Sequence, residues 1–424
     1  MRPSVMLCPA LLALAAGCSD SPSWSGTVTD SAGVTVVHNP DVGVWAASET
    51  WTLEEELRIG VVEGDPEYIF GRIGSVDVDS RGRIFVLDAQ AQHVKVYSPE
   101  GQYELTIGGP GDGPGELGPE PASLSVGSGD TLFVSDLSNQ RVNRYAPDGT
   151  TLGSFRLAFE NGLPLAITAT RGGVIAAQVR PLALPGEAQP DSTDVVVLLD
   201  TDGSVLDTLK RFRSGGTLRL WGDQPAITVF AGEPVWQISD AGGLHFGMSD
   251  EYRLEQYTST GILERIVTKS FVPRAISGDD RELMRSLFDE QLRATVPPQA
   301  FAQASAQVDE MVGFAEHYPA YARILLGPGN SIWVQHVPSP SELSDEDRIS
   351  WNFMDVLTGV SWNLIEDIGA QDWDVFDSDG RLLGVVTMPL RFTPHAIVGD
   401  KIYGVWRDEL EVNYALRLGI IGIQ

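Results

Sequence analysis

The sequence predicts an all-β fold, a six-bladed β-propeller with a helical-hairpin insertion, on three observations. The first is an internal repeat. Val78-Asp-Ser-Arg-Gly-Arg-Ile-Phe-Val-Leu-Asp88 returns as Val126-Gly-Ser-Gly-Asp-Thr-Leu-Phe-Val-Ser-Asp136, with Asp88 and Asp136, Tyr97 and Tyr145, and Gly101 and Gly149 each 48 positions apart. A fixed period of about 40–50 residues containing several short strands is that of a propeller blade. The second is that Ile84-Phe85-Val86 and Leu132-Phe133-Val134 are β-branched and aromatic runs too short for helices. The third is a count: six such units fit the chain once insertions at about 276–318 and 339–367 are set aside.

Turn chemistry punctuates each repeat. Ser80-Arg-Gly82 and Ser128-Gly-Asp130 precede the central strand, and Ser98-Pro-Glu-Gly101 and Ala146-Pro-Asp-Gly149 precede the outer one. Asp88 and Asp136 stand where a carboxylate can cap loop N–H groups. One blade cannot bury both faces of its sheet, so blades must stack in a ring. Asp136, Asn139, Arg141-Val142 and Tyr145 resemble the Asp…Asn-x-Arg-Val…Tyr pattern of NHL-type repeats, and more broadly the bacterial six-bladed (NHL/TolB-like) propellers. The first copy departs from that pattern, with Ala91 and His93 in the Asn and Arg positions.

The chain opens with export features. Arg2 precedes an apolar run from Val5 to Ala16, and Leu14-Ala-Ala-Gly17-Cys18 resembles a bacterial lipobox, with Ala15 where leucine is more usual. The run is too short to span a bilayer. Residues 1–17 therefore read as a lipoprotein signal peptide, Cys18 as the lipidated residue, 18–27 as a polar tether and 28–424 as the propeller. Cys8 and Cys18 are the two cysteines, so the exported domain has no disulfide. The protein is expected in the bacterial envelope, periplasm-facing or on the outer membrane, touching the membrane only through this lipid. Gly33–Val37 and the segment 51–59 are strand candidates, and one of them is expected to close the ring beside Tyr403–Leu418.

Gly108 to Gly118 is glycine-rich but lacks the Lys-Ser/Thr ending of a phosphate loop, and reads as an inter-blade loop. A third blade is drawn from Gly172–Ala177 and Val195–Leu199, and a fourth from Val235–Ile238, Gly243–Gly247 and Leu254–Tyr257, with 211–227 as an outer strand or crossing loop. Ile324–Leu326, Ile332–Val334 and Asp372–Phe376 make the fifth. Ala396–Val398, Ile402–Val405 and Tyr414–Leu418 make the sixth. Between the fourth and fifth, Ser277-Gly-Asp-Asp280 is a helix start. Met284, Leu287, Phe288 and Leu292 share one face of that helix, Pro297-Pro298 ends it, and Phe301, Val308, Met311, Val312 and Ala315 share a face of a second. This hairpin packs on the propeller's side or covers one mouth of its channel.

Formal net charge is −29. Such a surface repels nucleic acid and anionic headgroups and excludes both as direct partners. Asp200-Thr-Asp-Gly203 and Asp377-Ser-Asp-Gly380 lack the downstream glutamate of a calcium loop and read as hairpin turns. His38, His93, His245, His317, His336 and His395 show no metal-ligand spacing, and no G-x-S-x-G elbow is present. His395 and Arg323 lie near the starts of inner strands and are the channel candidates. The expected function is a monomeric binding or scaffolding module for a protein, peptide or glycan ligand, with no cofactor. The resemblance implies an alternative: some six-bladed relatives, lactonases and a lyase of hydroxyglycine peptides among them, hold one metal through channel-lining His, Asn, Asp or Glu. A metal-dependent hydrolase or lyase with a single divalent ion follows from it by fold alone, since no ligand position transfers.

Overall fold

A computed structural model describes residues 24–46, 49–119, 121, 123–156, 162–181, 193–219, 226–344 and 370–423. The signal segment, Cys18 and most of the tether lie outside the described residues, as does the 339–367 insertion beyond Ser344. Six blades, each of four antiparallel strands, follow one another along the chain; five are four-stranded sheets and the sheet of blade 4 is extended to six strands. From inner to outer strand, blade 1 is Ile73–Val78, Ile84–Asp88, His93–Tyr97 and Tyr103–Ile107, and blade 2 is Ser123–Val126, Leu132–Asp136, Arg141–Tyr145 and Thr151–Arg156. Blade 3 is Leu163–Ala169, Ile175–Arg180, Thr193–Leu199 and Val205–Arg213, and blade 4 is Pro234–Ile238, Leu244–Met248, Arg253–Tyr257 and Leu263–Lys269. Blade 5 is Ile324–Leu326, Ile332–Gln335, Asp372–Phe376 and Leu382–Thr387, and blade 6 is Phe392–Val398, Lys401–Arg407, Asn413–Ile421 and, out of sequence, Thr52–Ile59. Neighbouring blades meet along their inner strands, blade 6 meeting blade 1, and blades 3 and 4 meet through a core cluster that includes Ala176, Phe212, Leu244 and Phe246, so the ring is closed around one channel.

Closure comes from the segment 51–59, as expected: Ile59 pairs with Ala415 and Thr52 with Ile421. The other strand candidate takes a different edge. Thr27–Ser31 and Val34–Asn39 form a hairpin that adds parallel to the outer strand of blade 4, with Thr35 against Arg265 and Asn39 against Lys269. Buried Asn39 fixes it there: its amide donates to the Gly380 carbonyl at 2.8 Å and accepts from the Leu382 N–H at 2.8 Å, tying the hairpin to blade 5.

The repeat's polar residues satisfy backbone that the crossing loops would leave unpaired. Asp88 accepts from the N–H groups of Gly71, Arg72 and Ala91, and Asp136 from those of Gly118 and Asn139. Arg141 donates to the carbonyls of Asp112, Gly113 and Glu116, and so clamps the glycine-rich loop between blades 1 and 2. The Tyr97 and Tyr145 hydroxyls reach the Glu67 and Gly115 carbonyls. Turns between first and second strands, and between third and outer strands, recur in one form: at Gly82, Gly101, Gly149, Gly173, Gly203, Gly242, Gly261 and Gly380 the N–H closes on the carbonyl three residues back, with φ between 75° and 89°. Asp200–Gly203 and Asp377–Gly380 are two of these turns.

The insertion between blades 4 and 5 begins where Ala275 bridges to His317. Helix α1 (Gly278–Thr295) is capped by Ser277, whose hydroxyl accepts from the Asp280 N–H at 3.0 Å, and helix α2 spans Phe301–Met311. Met284, Leu287, Phe288 and Leu292 are buried as their spacing requires. The insertion is not helical throughout. Val312–Phe314 pairs parallel with Ala226–Val229, so the hairpin docks on the crossing segment between blades 3 and 4 through Ile227, Val229 and Phe230.

Candidate functional site

The two faces of the ring differ. Connections between first and second strands, and between third and outer ones, are tight turns, so that face is level. The connections over 60–72, 108–122, 214–233 and 270–323 all leave from the opposite face, where outer strands cross to the next blade. Over blades 4 to 6 these connections enclose a cavity of about 730 Å³, within the range of small-molecule sites. Its walls carry four cationic side chains, Lys269, Arg274, Arg391 and Arg407, against Asp372, Asp374, Glu342 and Glu411. The mouth is therefore charge-balanced on a chain of net charge −29. Arg274 pairs with Glu342 at 3.0 Å. Val272 and Leu390, 86% and 43% exposed, give the wall an apolar side.

At the base of this cavity Asp374 is fully buried and accepts from three side chains. Lys269 Nζ lies 2.7 and 2.9 Å from its two oxygens, His336 Nε2 lies 3.1 Å away, and the Tyr252 hydroxyl donates to it. Burial pushes its pKa up, but the bond from His336 and the charges of His336 and Lys269 outweigh this and hold it below the usual carboxylate range. Tyr252 is pushed well above its ordinary value by burial, then by Asp374. With its oxygens occupied, Asp374 acts as an anchor that holds Lys269 and His336 at the cavity wall.

Sequence reasoning named His336 only as one of six scattered histidines, and passed over Asp374, Lys269 and Tyr252. A signal was present. Lys95, Asn143, Glu255 and Asp374 are each the third residue of a third strand, two positions before the Tyr97, Tyr145, Tyr257 or Phe376 that ends it. In blades 1 and 2 this residue anchors a crossing loop: Lys95 donates to the Pro66 and Ile69 carbonyls and Asn143 to that of Glu116. In blade 5 the same position serves the cavity.

His395 and Arg323 occupy equivalent places in adjacent blades. Pro394 pairs with Gly404 and Ala396 with Tyr403, leaving His395 as the extra residue of a bulge. A Cβ on Gly404 would meet the Thr393 carbonyl oxygen at 2.3 Å, so the bulge presses on a position open to glycine alone. In blade 5 the Ala322 N–H donates to Gln335 O, and the Gln335 N–H donates to Arg323 O, both at 2.9 Å. Two residues there oppose one, and Arg323 is the counterpart of His395. Bulges of this kind re-aim side chains. Blades 1 and 3 bulge at the same place but present Gly74 and Leu165.

Burial and then the neighbouring Arg323 and Arg407 lower the His395 pKa to about 3, and burial lowers that of His245, on the second strand of blade 4, to about 4. Both stay neutral when folded, whereas an unfolded histidine takes up a proton below about 6.5. Their contribution to stability is thus complete above that value and is lost as pH falls toward the folded ones. Glu233, raised to about 7 by burial, works the other way, its cost relieved as pH falls below 7. Thermal midpoints are expected to fall between pH 7.5 and 4.5, with a shallower fall in His245→Phe; an unchanged slope in that variant would assign the loss elsewhere.

The residues around His395 do not suit a cation. Two guanidiniums lie close enough to lower its basicity, and among the described residues no group of three or more His, Cys, Asp or Glu is placed to hold a metal ion. His38, on the added hairpin, and His317, in the insertion, are exposed, and His93 lies in the third strand of blade 1.

Residues 62–169 match the model of a family described as a 6-bladed beta-propeller. No curated protein sequence matches the chain. Among solved structures the chain is similar to a duf4221-family protein of Bacteroides vulgatus, at 11% identity and a TM-score of 0.50 over 88% of this chain and 98% of that one. It is also similar to a protein of Bacteroides fragilis provisionally described as exported, at 11% identity and a TM-score of 0.48 over 91% and 99% of the two chains. Virginiamycin B lyase of Staphylococcus aureus aligns at 11% identity and a TM-score of 0.42 over 88% and 100%. The family match and the structure's six blades define the class, a six-bladed β-propeller.

Proposed function

We propose that the chain is an exported, monomeric propeller, held at the bacterial envelope by lipid on Cys18, that binds a peptide, glycan or protein partner in the cavity over blades 4 to 6. One observation carries the reading: the long connections leave from one face and, over three blades, enclose a cavity whose floor is built by the buried Asp374 anchor. Ligand sites of this kind are concave, part apolar, and oriented by a few fixed polar groups. A metal-dependent hydrolase or lyase remains the alternative from fold analogy, and about one tightly held divalent ion per chain, measured on protein purified without chelator, would favour it.

The binding reading is tested with arrays of envelope peptides and glycan fragments against the wild type and Val272→Glu. Val272 is 86% exposed on the cavity wall, so the substitution places a charge in the site and leaves the core untouched. Hits are expected to weaken about tenfold or more in the variant. Hits that the variant binds equally well would move the binding surface elsewhere.

A further inference from the structure

The channel beneath the cavity has a chemistry that neither the general binding reading nor the fold resemblance assigns. Arg323 and His395 stand at equivalent bulges of adjacent inner strands. Arg407 ends the second strand of blade 6, its backbone N–H on the Arg391 carbonyl at 3.2 Å, and its side chain lines the cavity wall beside Thr393. Among the described residues neither the Arg323 nor the Arg407 guanidinium has a hydrogen-bond or ion-pair partner, and both lie close enough to His395 to depress its basicity. The chain elsewhere has an excess of acids, 58 Asp and Glu to 29 Lys and Arg. Two partly buried, unpaired guanidiniums converging on one neutral histidine are costly in the empty protein, and an anion would offset that cost.

We propose that the channel mouth between blades 5 and 6 is an oxyanion site, in which Arg323 and Arg407 hold a carboxylate or phosphate group of the ligand and His395 donates a hydrogen bond to it. Guanidinium forks match the planar or tetrahedral oxygens of such groups, and a neutral imidazole supplies one donor without a further charge. The site deepens the cavity reading and rests on it: the anionic group enters the channel while the remainder of the ligand fills the cavity above. The same constellation that repels a divalent ion selects its opposite.

The test is equilibrium binding and thermal stabilisation of the purified full chain in chloride-poor buffer. The probes are inorganic phosphate, glucuronate, glucose 6-phosphate, uncharged glucose and calcium. Oxyanions are expected to bind and raise the midpoint while glucose and calcium do not, and the preference between glucuronate and glucose 6-phosphate separates carboxylate from phosphate. Arg323→Gln and Arg407→Gln are expected to weaken oxyanion binding about tenfold or more. Without anion both variants should be at least as stable as the wild type, since each removes a like-charge neighbour. Arg323→Lys, which keeps the charge and loses the fork, should bind between the two. Oxyanion binding unchanged in both Gln variants, no oxyanion binding at all, or calcium binding lost in His395→Ala would each overturn the site. An array ligand sensitive to Val272→Glu but indifferent to Arg323→Gln would overturn the oxyanion site and leave the cavity reading standing. Arginine-dependent phosphate binding with no Val272→Glu-sensitive ligand would overturn the cavity reading instead.

Discussion

Lys269→Met is expected to lower stability by about 3–5 kcal/mol, the usual cost of removing one partner from a buried ion pair. Lys269 is the ammonium paired with Asp374, 2.7 Å from a carboxylate with no solvent contact. Without it the charge is left to His336 and the Tyr252 hydroxyl, neither of which returns the desolvation cost. Asp374→Asn should cost less, because the Lys269 side chain, 14% exposed, lines the cavity and its ammonium can turn toward the cavity's water. The double variant should then be more stable than Lys269→Met alone, since the uncompensated charge is gone. Urea denaturation at pH 7.5 measures all three. The sign with pH is fixed: Asp374 has a depressed folded pKa, so its contribution is present above the unfolded carboxylate value and is lost as pH falls through the folded one. In Lys269→Met that acid loss should begin at higher pH. Equal stabilities for Lys269→Met and the double variant would show that the ammonium does not compensate Asp374.

What the sequence disclosed, and what it withheld, follows from the range of each interaction. Asp88, Asp136, Arg141 and Tyr145 bind backbone within about one blade of themselves, and so recur at the repeat's own period. The helix face of Met284, Leu287, Phe288 and Leu292 is likewise local, written in a spacing of three and four. Closure by an N-terminal strand was legible because propellers of this type close that way, but which of the two candidates, 33–37 or 51–59, would do so was not. The Asp374 site was not, because its partners come from three other strands or loops: Tyr252 is 122 residues away and Lys269 is 105. Only comparison of third strands, position by position, sets Asp374 beside Lys95 and Asn143. Arg323 and His395 were legible as residues near inner-strand starts, whereas the bulges that make them equivalent depend on pairing registers. Nothing in Thr27–Asn39 announced blade 4 as its edge, since a short alternating strand fits many edges equally well.

Ile59→Ala is the second change expected to have a large effect, about 2–5 kcal/mol, because Ile59 sits at the seam where the last blade meets the first. It is 3% exposed and packs with Ile73, Val76 and Tyr97 of blade 1 and with Tyr403, Val405 and Ala415 of blade 6. The strand that carries it is the only one of blade 6 drawn from the opposite end of the described chain. Polar contacts join at the same seam: Arg417 donates to the Pro99 carbonyl at 2.7 Å and pairs with Glu56 at 3.1 Å. Other seams between blades are made by residues already close along the chain, so loosening one leaves the polypeptide itself to hold the blades together. Here the contact spans over 350 residues, and nothing covalent and short replaces it. The entropy of closing so long a loop is recovered only through these contacts. Ile59→Ala is therefore expected to speed unfolding as well as lower equilibrium stability, whereas Val28→Ala, on the exposed first strand of the hairpin, should stay within about 0.5 kcal/mol of the wild type. Equilibrium and stopped-flow denaturation read both quantities. An Ile59→Ala protein as stable as Val28→Ala would mean that the ring holds without its closing strand's core, and that the stacked inner strands alone carry the propeller.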